Sequence, residues 1–151
     1  MASNYELRVS AVIQAPVGEV RAFLVDLANF SQWNPFLVMD PETSIKVSQP
    51  STGVGASYSW VSKRIGSGVM TIRAASEAVI DIHMRFTSRN KREDAVQWIL
   101  TEHEGGTTVT WVMSGHRTLI ERVFVGLMRL DAMMSKHFAD GFQRLKAVLE
   151  K

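Results

Sequence analysis

The sequence contains no cysteine among its 151 residues. This absence excludes disulfide bonds, thiolate nucleophiles and metal sites with thiolate ligands. It fits a soluble protein of the reducing cytoplasm, which is where we expect this one. No basic segment followed by an apolar stretch opens the chain, so we expect no signal peptide.

Long apolar runs are also missing. The longest, residues 123–130, is interrupted by Gly126 and Arg129. It falls well short of the about 20 residues that a membrane helix needs. We therefore expect no stable membrane insertion.

The sequence has little excess charge of either sign. The sequence has 17 Lys and Arg residues and 15 Asp and Glu residues, which gives a net charge of +2. This near balance gives no reason to predict a nucleic-acid partner, and it leaves a homodimer open. The length and the 46% of hydrophobic residues indicate a single domain over residues 1–151, large enough for a core and a cavity.

Apolar residues recur with two different periodicities along the chain, one typical of strands and one typical of helices. Residues 6–14 alternate apolar and polar side chains, which predicts a strand. Pro16 suits the first turn of a short helix that should end near residues 26–29. Residues 29–35 should form a second helical turn that ends at Pro35.

About six alternating segments come next, between residues 44 and 113, with no helix between them. This order predicts antiparallel pairing. From about residue 118 to residue 151, apolar residues recur at helical spacing. The pattern as a whole predicts an α+β fold in which a curved antiparallel sheet holds one long C-terminal helix against its inner face.

The inner face of this sheet and the facing side of the helix carry the candidate ligand-binding residues. Their side chains could surround an apolar guest or could simply fill the core. Eight methionines favour an adaptable pocket, because thioethers fit irregular shapes. The strand candidates are Tyr58, Trp60, Ile82, Met84, Phe86, Trp98, Trp111 and Met113, and the helix candidates are Phe124, Met128 and Met134.

Asp131 interrupts the apolar stripe of the last helix, between Leu127 and Met134. An unpaired carboxylate buried there would cost several kcal/mol, so we expect it to be paired, hydrogen-bonded, solvated or protonated. It could anchor a ligand hydroxyl or amine, or act as a general base if an apolar setting raises its pKa. It could equally be a partly exposed residue paired with a nearby arginine. Tyr58 could donate a hydrogen bond inside the cavity or be a core aromatic.

The four histidines show no paired metal-ligand spacing, and we predict neither a metal site nor a cofactor. Basic residues concentrate instead on one hairpin, at Arg85, Arg89, Lys91 and Arg92. They could form a solvated tip, or they could face an anionic partner or the head group of a ligand.

Several short motifs, taken in order, resemble the polyketide cyclase/dehydrase-like branch of the START-related (Bet v 1-like, SRPBCC) superfamily over about residues 5–150. The motifs are Ala15-Pro16, Asn29-Phe-Ser-Gln-Trp33-Asn-Pro35, Gly53-Val-Gly55-Ala-Ser-Tyr58-Ser-Trp60, Gly66-Ser-Gly68, Gly106-Thr-Thr-Val-Thr-Trp111, and Asp131 with Gly141-Phe-Gln-Arg-Leu145.

This resemblance implies a helix-grip fold. In that fold a seven-stranded curved antiparallel sheet surrounds a long C-terminal helix, two short helices follow the first strand, and a deep cavity lies between sheet and helix. Members bind lipids, sterols, polyketides, hormones or quinones, and only some are enzymes. They share no catalytic motif, so we assign no catalytic residue. The resemblance implies only that the matched positions lie near the cavity or its mouth. They are Trp33, Tyr58, Trp60, Trp111 and Asp131.

Three functions are therefore open. The first is a carrier that binds an apolar small molecule, such as a lipid, polyketide, isoprenoid or aromatic metabolite. The second is a cyclase, dehydratase or aromatase in which Asp131 or Tyr58 moves protons. The third is a protein-interaction module that uses the basic hairpin or an exposed Trp33.

Overall fold

A computed structural model describes the backbone of residues 2–88, 91–118 and 127–150, and the side chains of residues 5–88, 91–115 and 132–150. Seven strands form one antiparallel sheet in the order β1-β7-β6-β5-β4-β3-β2. The strands are β1 (Ala2–Ile13), β2 (Ser44–Val47), β3 (Ser57–Ser62), β4 (Gly66–Ala75), β5 (Val79–Phe86), β6 (Arg92–His103) and β7 (Gly106–Thr118).

Two α-helices and two 3₁₀ helices complete the described fold. The α-helices are α1 (Val17–Val25) and α2 (Leu127–Leu149). The first 3₁₀ helix is Leu27–Gln32, and the second is Pro35–Val38. The α+β helix-grip arrangement predicted from the sequence is confirmed.

Two element boundaries differ from the prediction. β1 begins at Ala2 rather than near residue 6, because it pairs with β7 along its whole length, from Ala2 opposite Thr118 to Ile13 opposite Thr107. For the same reason β7 continues to Thr118, where the sequence pattern predicts the start of the last helix. Residues 119–126 lie outside the described part of the chain.

Pro35 also has a different role from the one predicted. It begins the second 3₁₀ helix instead of ending the first, since its fixed φ suits a first helical position. The Asn34 side chain caps this helix by accepting a hydrogen bond from the Phe36 backbone N–H at 3.0 Å. The segment is therefore held in place at the point where it meets α2.

Helix α2 approaches this segment closely at Gly141. A Cβ there would lie 3.1 Å from the Trp33 carbonyl oxygen and 3.2 Å from Pro35 Cδ, so glycine allows the contact. Among residues 132–149 of α2, whose side chains are described, Phe138, Phe142 and Leu145 are buried and continue the predicted apolar stripe.

Aromatic rings join the helix to the sheet. Phe138 stacks on Trp111, with ring centroids 4.1 Å apart and planes within 7°. Phe142 is nearly parallel to Trp33 at 6.4 Å. Trp33 and Trp111 are themselves 5.3 Å apart, edge to face. These contacts place the aromatic core between the sheet and the C-terminal half of α2.

Candidate functional site

A cavity of about 320 Å³ lies between the inner face of the sheet, the second 3₁₀ helix and α2. This volume is at the lower end of the ~300–1,000 Å³ typical of small-molecule pockets. Every methionine whose side chain the structure describes lines it. These residues are Met39, Met70, Met84, Met113, Met133 and Met134. Such a wall is both apolar and deformable.

The strand register explains why these side chains meet. Residues paired across antiparallel strands stand side by side on one face. One row runs from Tyr58 through Met70 and Met84 to Asp94. These residues come from β3, β4, β5 and β6 in turn, and the first three line the cavity.

The next row runs from Trp60 through Gly68 and Phe86 to Arg92. Trp60 and Phe86 contact each other edge to face at 6.0 Å across Gly68. A Cβ at Gly68 would stand 2.6 Å from the Trp60 ring, so only glycine leaves space for the indole there. The guanidinium carbon of Arg92 lies 5.0 Å from the Phe86 ring centroid, within cation–π range.

The structure brings together seven of the residues predicted to bind ligand. They are Tyr58, Trp60, Met84, Phe86, Trp111, Met113 and Met134. Their contact with a ligand stays a prediction, but they share one cavity wall.

Trp33, Ile82 and Trp98 do not line this cavity and are buried in the core instead. Trp33 and Trp98 pack behind Phe30 and Trp111, which do line it. Trp33 is only 1% exposed, so it is not the exposed docking residue that an interaction module would use.

Three helix candidates cannot be placed. Phe124 lies outside the described residues. The backbone of Met128 and Asp131 belongs to α2, but their side chains are outside the described part of the chain. The role suggested for Asp131 therefore stays a prediction from the sequence.

Sequence reasoning missed one whole side of the cavity. Phe36, Leu37 and Met39 come from the second 3₁₀ helix and the residue after it. Phe30, at the deep end, comes from the first 3₁₀ helix. Such short helices carry no sustained apolar periodicity, so no pattern marks their inward residues. Phe138, by contrast, was recognisable in the apolar stripe of α2.

Tyr58 holds the deep part of the site through its hydroxyl group. This oxygen is 2.8 Å from Ser31 Oγ and accepts a hydrogen bond from Asn34 Nδ2 at 3.2 Å. Tyr58 and Asn34 are both buried. The network fixes the cavity wall and connects β3 to the start of the second 3₁₀ helix.

Two indole N–H groups near this wall, of Trp98 and Trp111, are buried and have no acceptor among the described residues. A buried donor left without a partner costs about 1–3 kcal/mol. Either indole would lose that free energy unless a water molecule or a ligand atom accepts its hydrogen.

Asp40 joins two segments that contribute to the cavity wall. It accepts hydrogen bonds from the Ser62 hydroxyl and from the Glu42 backbone N–H. The Ser62 bond is the main reason that the pKa of Asp40 lies below its ordinary value, and the positive charge of Arg64 adds to the effect. Thr43 and Arg64, which flank these contacts in the chain, both line the cavity.

A second polar group lies at the other end of the paired rows. The Asp94 carboxylate is buried and accepts hydrogen bonds from the Tyr5 hydroxyl at 2.9 Å and the Arg92 guanidinium at 3.2 Å. A Cβ at Gly115 would overlap with this carboxylate, so glycine leaves the space that it occupies. Arg92 also lines the cavity, whereas Asp94 does not.

The described side chains include no cluster of three or more residues that could hold a metal ion. No helix in the described part of the chain is both long and apolar enough to cross a membrane.

The sequence of residues 5–150 matches the model of the family described as polyketide cyclase/dehydrase and lipid transport. The chain belongs to this family. The polyketide cyclase/dehydrase family is thus established over nearly the whole chain, and it points to ligand binding or polyketide processing in general terms. No curated protein matches the sequence.

Solved structures show the same fold at low sequence identity. DynU16, a protein of the dynemicin biosynthetic locus, has a TM-score of 0.66 and 21% identity over 97% of this chain. The match covers only 47% of DynU16, so this chain is about half its length. The SA2116 protein of Staphylococcus aureus has a TM-score of 0.72 and 15% identity, covering 99% of this chain and 95% of that one. The Aha1 dimer of Colwellia psychrerythraea has a TM-score of 0.68 and 15% identity, covering 97% of this chain and 96% of that one.

Proposed function

We propose that this protein binds an apolar small molecule in the cavity between its sheet and α2, as a carrier or binding domain. The observation that carries the proposal is the cavity itself, about 320 Å³ in volume and walled by six methionines together with aromatic rings. The family description, which names lipid transport alongside cyclase and dehydrase activities, supports the same reading.

The energetics fit reversible binding. An apolar guest that buries about 300 Å² of its surface gains about 7 kcal/mol, before the costs of ordering are subtracted. Dissociation constants should therefore be micromolar or weaker. Binding of this strength is readily reversible.

Filling the cavity tests the proposal. Met84→Trp places a large indole on the inner face of β5, in the middle of the methionine wall. We expect this variant to bind the uncharged fluorophore N-phenyl-1-naphthylamine at least tenfold more weakly than the wild-type protein, because the guest and the indole compete for the same volume. The measurement is a fluorescence titration.

The matched control is Val61→Trp. Val61 is 64% exposed on β3 and does not line the cavity, so the same indole is added outside. We expect unchanged binding in this variant. Wild-type protein that does not bind the fluorophore, or equal losses in both variants, would contradict the proposal.

A further inference from the structure

Trp111 combines two properties that the other tryptophans do not combine. It lines the cavity, and its indole N–H is buried with no acceptor among the described residues. The residue is only 2% exposed, so bulk water does not solvate this group. Buried tryptophan N–H groups usually have a hydrogen-bond partner. A molecule that occupies the cavity could supply the missing acceptor.

The indole ring of Trp111 is packed on several sides. Phe138 covers one face, with ring centroids 4.1 Å apart and planes within 7°. Trp33 and Phe30 contact the same ring at 5.3 Å and 6.3 Å. Close packing of this kind holds a side chain in one rotamer. The N–H group therefore keeps a fixed direction, and a donor fixed in advance gives a ligand little ordering cost.

Buried polar groups lie close to this indole. Phe30 contacts the ring of Tyr58 at 5.0 Å as well as that of Trp111. The Tyr58 hydroxyl accepts a hydrogen bond from Asn34 Nδ2, and both residues are buried and line the cavity. The part of the cavity around Phe30 therefore combines an apolar surface with polar atoms, as ligand pockets usually do.

The chemistry of an indole N–H favours a carbonyl oxygen as its partner. The group is a donor only, so the ligand atom must be an acceptor. A carboxylate would lose its hydration at this buried position, which one neutral N–H does not offset. A hydroxyl group would bring a donor hydrogen that needs an acceptor of its own. The oxygen of a ketone, aldehyde or ester accepts the hydrogen bond and adds neither a charge nor a donor.

We infer that the ligand carries an uncharged carbonyl group on an apolar body, and that Trp111 donates its indole hydrogen to the carbonyl oxygen. Trp111 is then a specificity-determining residue. The methionine side chains adapt to the shape of the apolar body, whereas the indole distinguishes a carbonyl compound from a hydrocarbon of the same shape. The inference rests on the proposed function, since it requires that the cavity hold a ligand.

The test compares two ligands that differ at one carbon. 2-Acetylnaphthalene has a carbonyl group where 2-ethylnaphthalene has a methylene group, and their shapes are otherwise alike. Trp111→Phe keeps an aromatic ring and removes the N–H group. We expect this variant to bind 2-acetylnaphthalene about tenfold more weakly than the wild-type protein, because the carbonyl loses its hydrogen bond. Its affinity for 2-ethylnaphthalene should stay within about twofold. Both are measured by isothermal titration calorimetry.

Trp98→Phe is the matched control. Trp98 pairs with Trp111 across β6 and β7, is fully buried, and also has an indole N–H without an acceptor in the described part of the chain. It does not line the cavity. This variant should bind both ligands within about twofold of the wild-type protein.

A second measurement needs no variant to fold. Wild-type protein labelled with ¹⁵N is titrated with each ligand, and the indole N–H resonances are followed by NMR. A new hydrogen bond moves such a resonance downfield. We expect the Trp111 resonance to move further downfield with 2-acetylnaphthalene than with 2-ethylnaphthalene, and the Trp98 resonance to show no such difference.

The outcomes separate the two proposals. If neither ligand binds the wild-type protein, the proposed function fails and this inference fails with it. If both bind but Trp111→Phe weakens them equally, or the Trp111 resonance does not distinguish them, the cavity binds ligands but the inference is overturned. A selective loss of the ketone that Trp98→Phe shares also overturns it. A selective loss confined to Trp111→Phe supports it, as does the downfield shift at Trp111.

Discussion

We expect Phe138 to contribute both to folding stability and to ligand binding. Its ring is fully buried, stacks on Trp111 at 4.1 Å and forms part of the cavity wall. Phe138→Ala removes that ring from between helix and sheet. Truncating a buried phenylalanine to alanine costs about 3–5 kcal/mol, because the packing is lost and a void is left behind. We expect a loss of about 3–4 kcal/mol in the free energy of unfolding, measured by urea denaturation.

The same substitution should also weaken ligand binding. An aromatic contact contributes about 0.5–1.5 kcal/mol beyond simple burial, which corresponds to a several-fold loss of affinity for N-phenyl-1-naphthylamine. This weakening is the part of the prediction that depends on the cavity.

Phe142→Ala provides the matched control. Phe142 is as buried as Phe138 and lies one helical turn further along α2, but it packs against Trp33 and does not line the cavity. It should cost a similar amount of stability and leave fluorophore binding unchanged. If both variants weaken fluorophore binding equally, the ligand does not contact Phe138 in preference to Phe142, and the proposed position of the binding cavity is wrong. A stability loss below about 1 kcal/mol for Phe138→Ala would show that its ring is not packed against Trp111.

Two further predictions concern the polar contacts of the site. Ser62→Ala should lower stability at pH 7, because it removes the main hydrogen bond that depresses the pKa of Asp40. Because the pKa of Asp40 is lower in the folded than in the unfolded state, its ionised form stabilises the fold at a pH above the unfolded-state pKa. This stabilisation disappears as the pH falls through the folded-state pKa. Urea denaturation should therefore show that the stability deficit of the variant becomes smaller in acid. The Ser59→Ala control removes a hydroxyl bonded to a backbone carbonyl and should show a deficit that does not change with pH. Tyr58→Phe should cost about 1–2 kcal/mol in the same assay, because it leaves the buried Asn34 amide without its acceptor, and an unchanged stability would contradict the network.

The strand alternation predicted the sheet side of the site well. In β5, the pattern that ends in Met84 and Phe86 alternates strictly, and both side chains point inward as expected. Period-two alternation reports directly which face a residue occupies. It does not report which inward residues are covered by others, so it also predicts cavity positions for Ile82 and Trp98, which lie in the core.

The place of Arg92 in the cavity wall is much harder to predict. Arg92 belongs to a hairpin whose basic residues are most simply read as a solvated tip, because arginine is usually exposed. Only the pairing of Phe86 with Arg92 shows that this side chain shares the inner face with the cavity. Asp94, two residues further on, is inward for the same reason. Charged residues are usually exposed, so a charged side chain that points inward can be recognised only from the strand register.

The central claim is that the space enclosed by the methionine side chains accepts a guest. The most direct test titrates the wild-type protein, labelled with ¹³C at the methionine methyl groups, with N-phenyl-1-naphthylamine and follows the methyl resonances by NMR. The account predicts shifts and ligand contacts at Met70, Met84 and Met113, which lie inside the cavity. Resonances that do not move, or shifts confined to the exposed Met39 and Met133 at the rim, would contradict it.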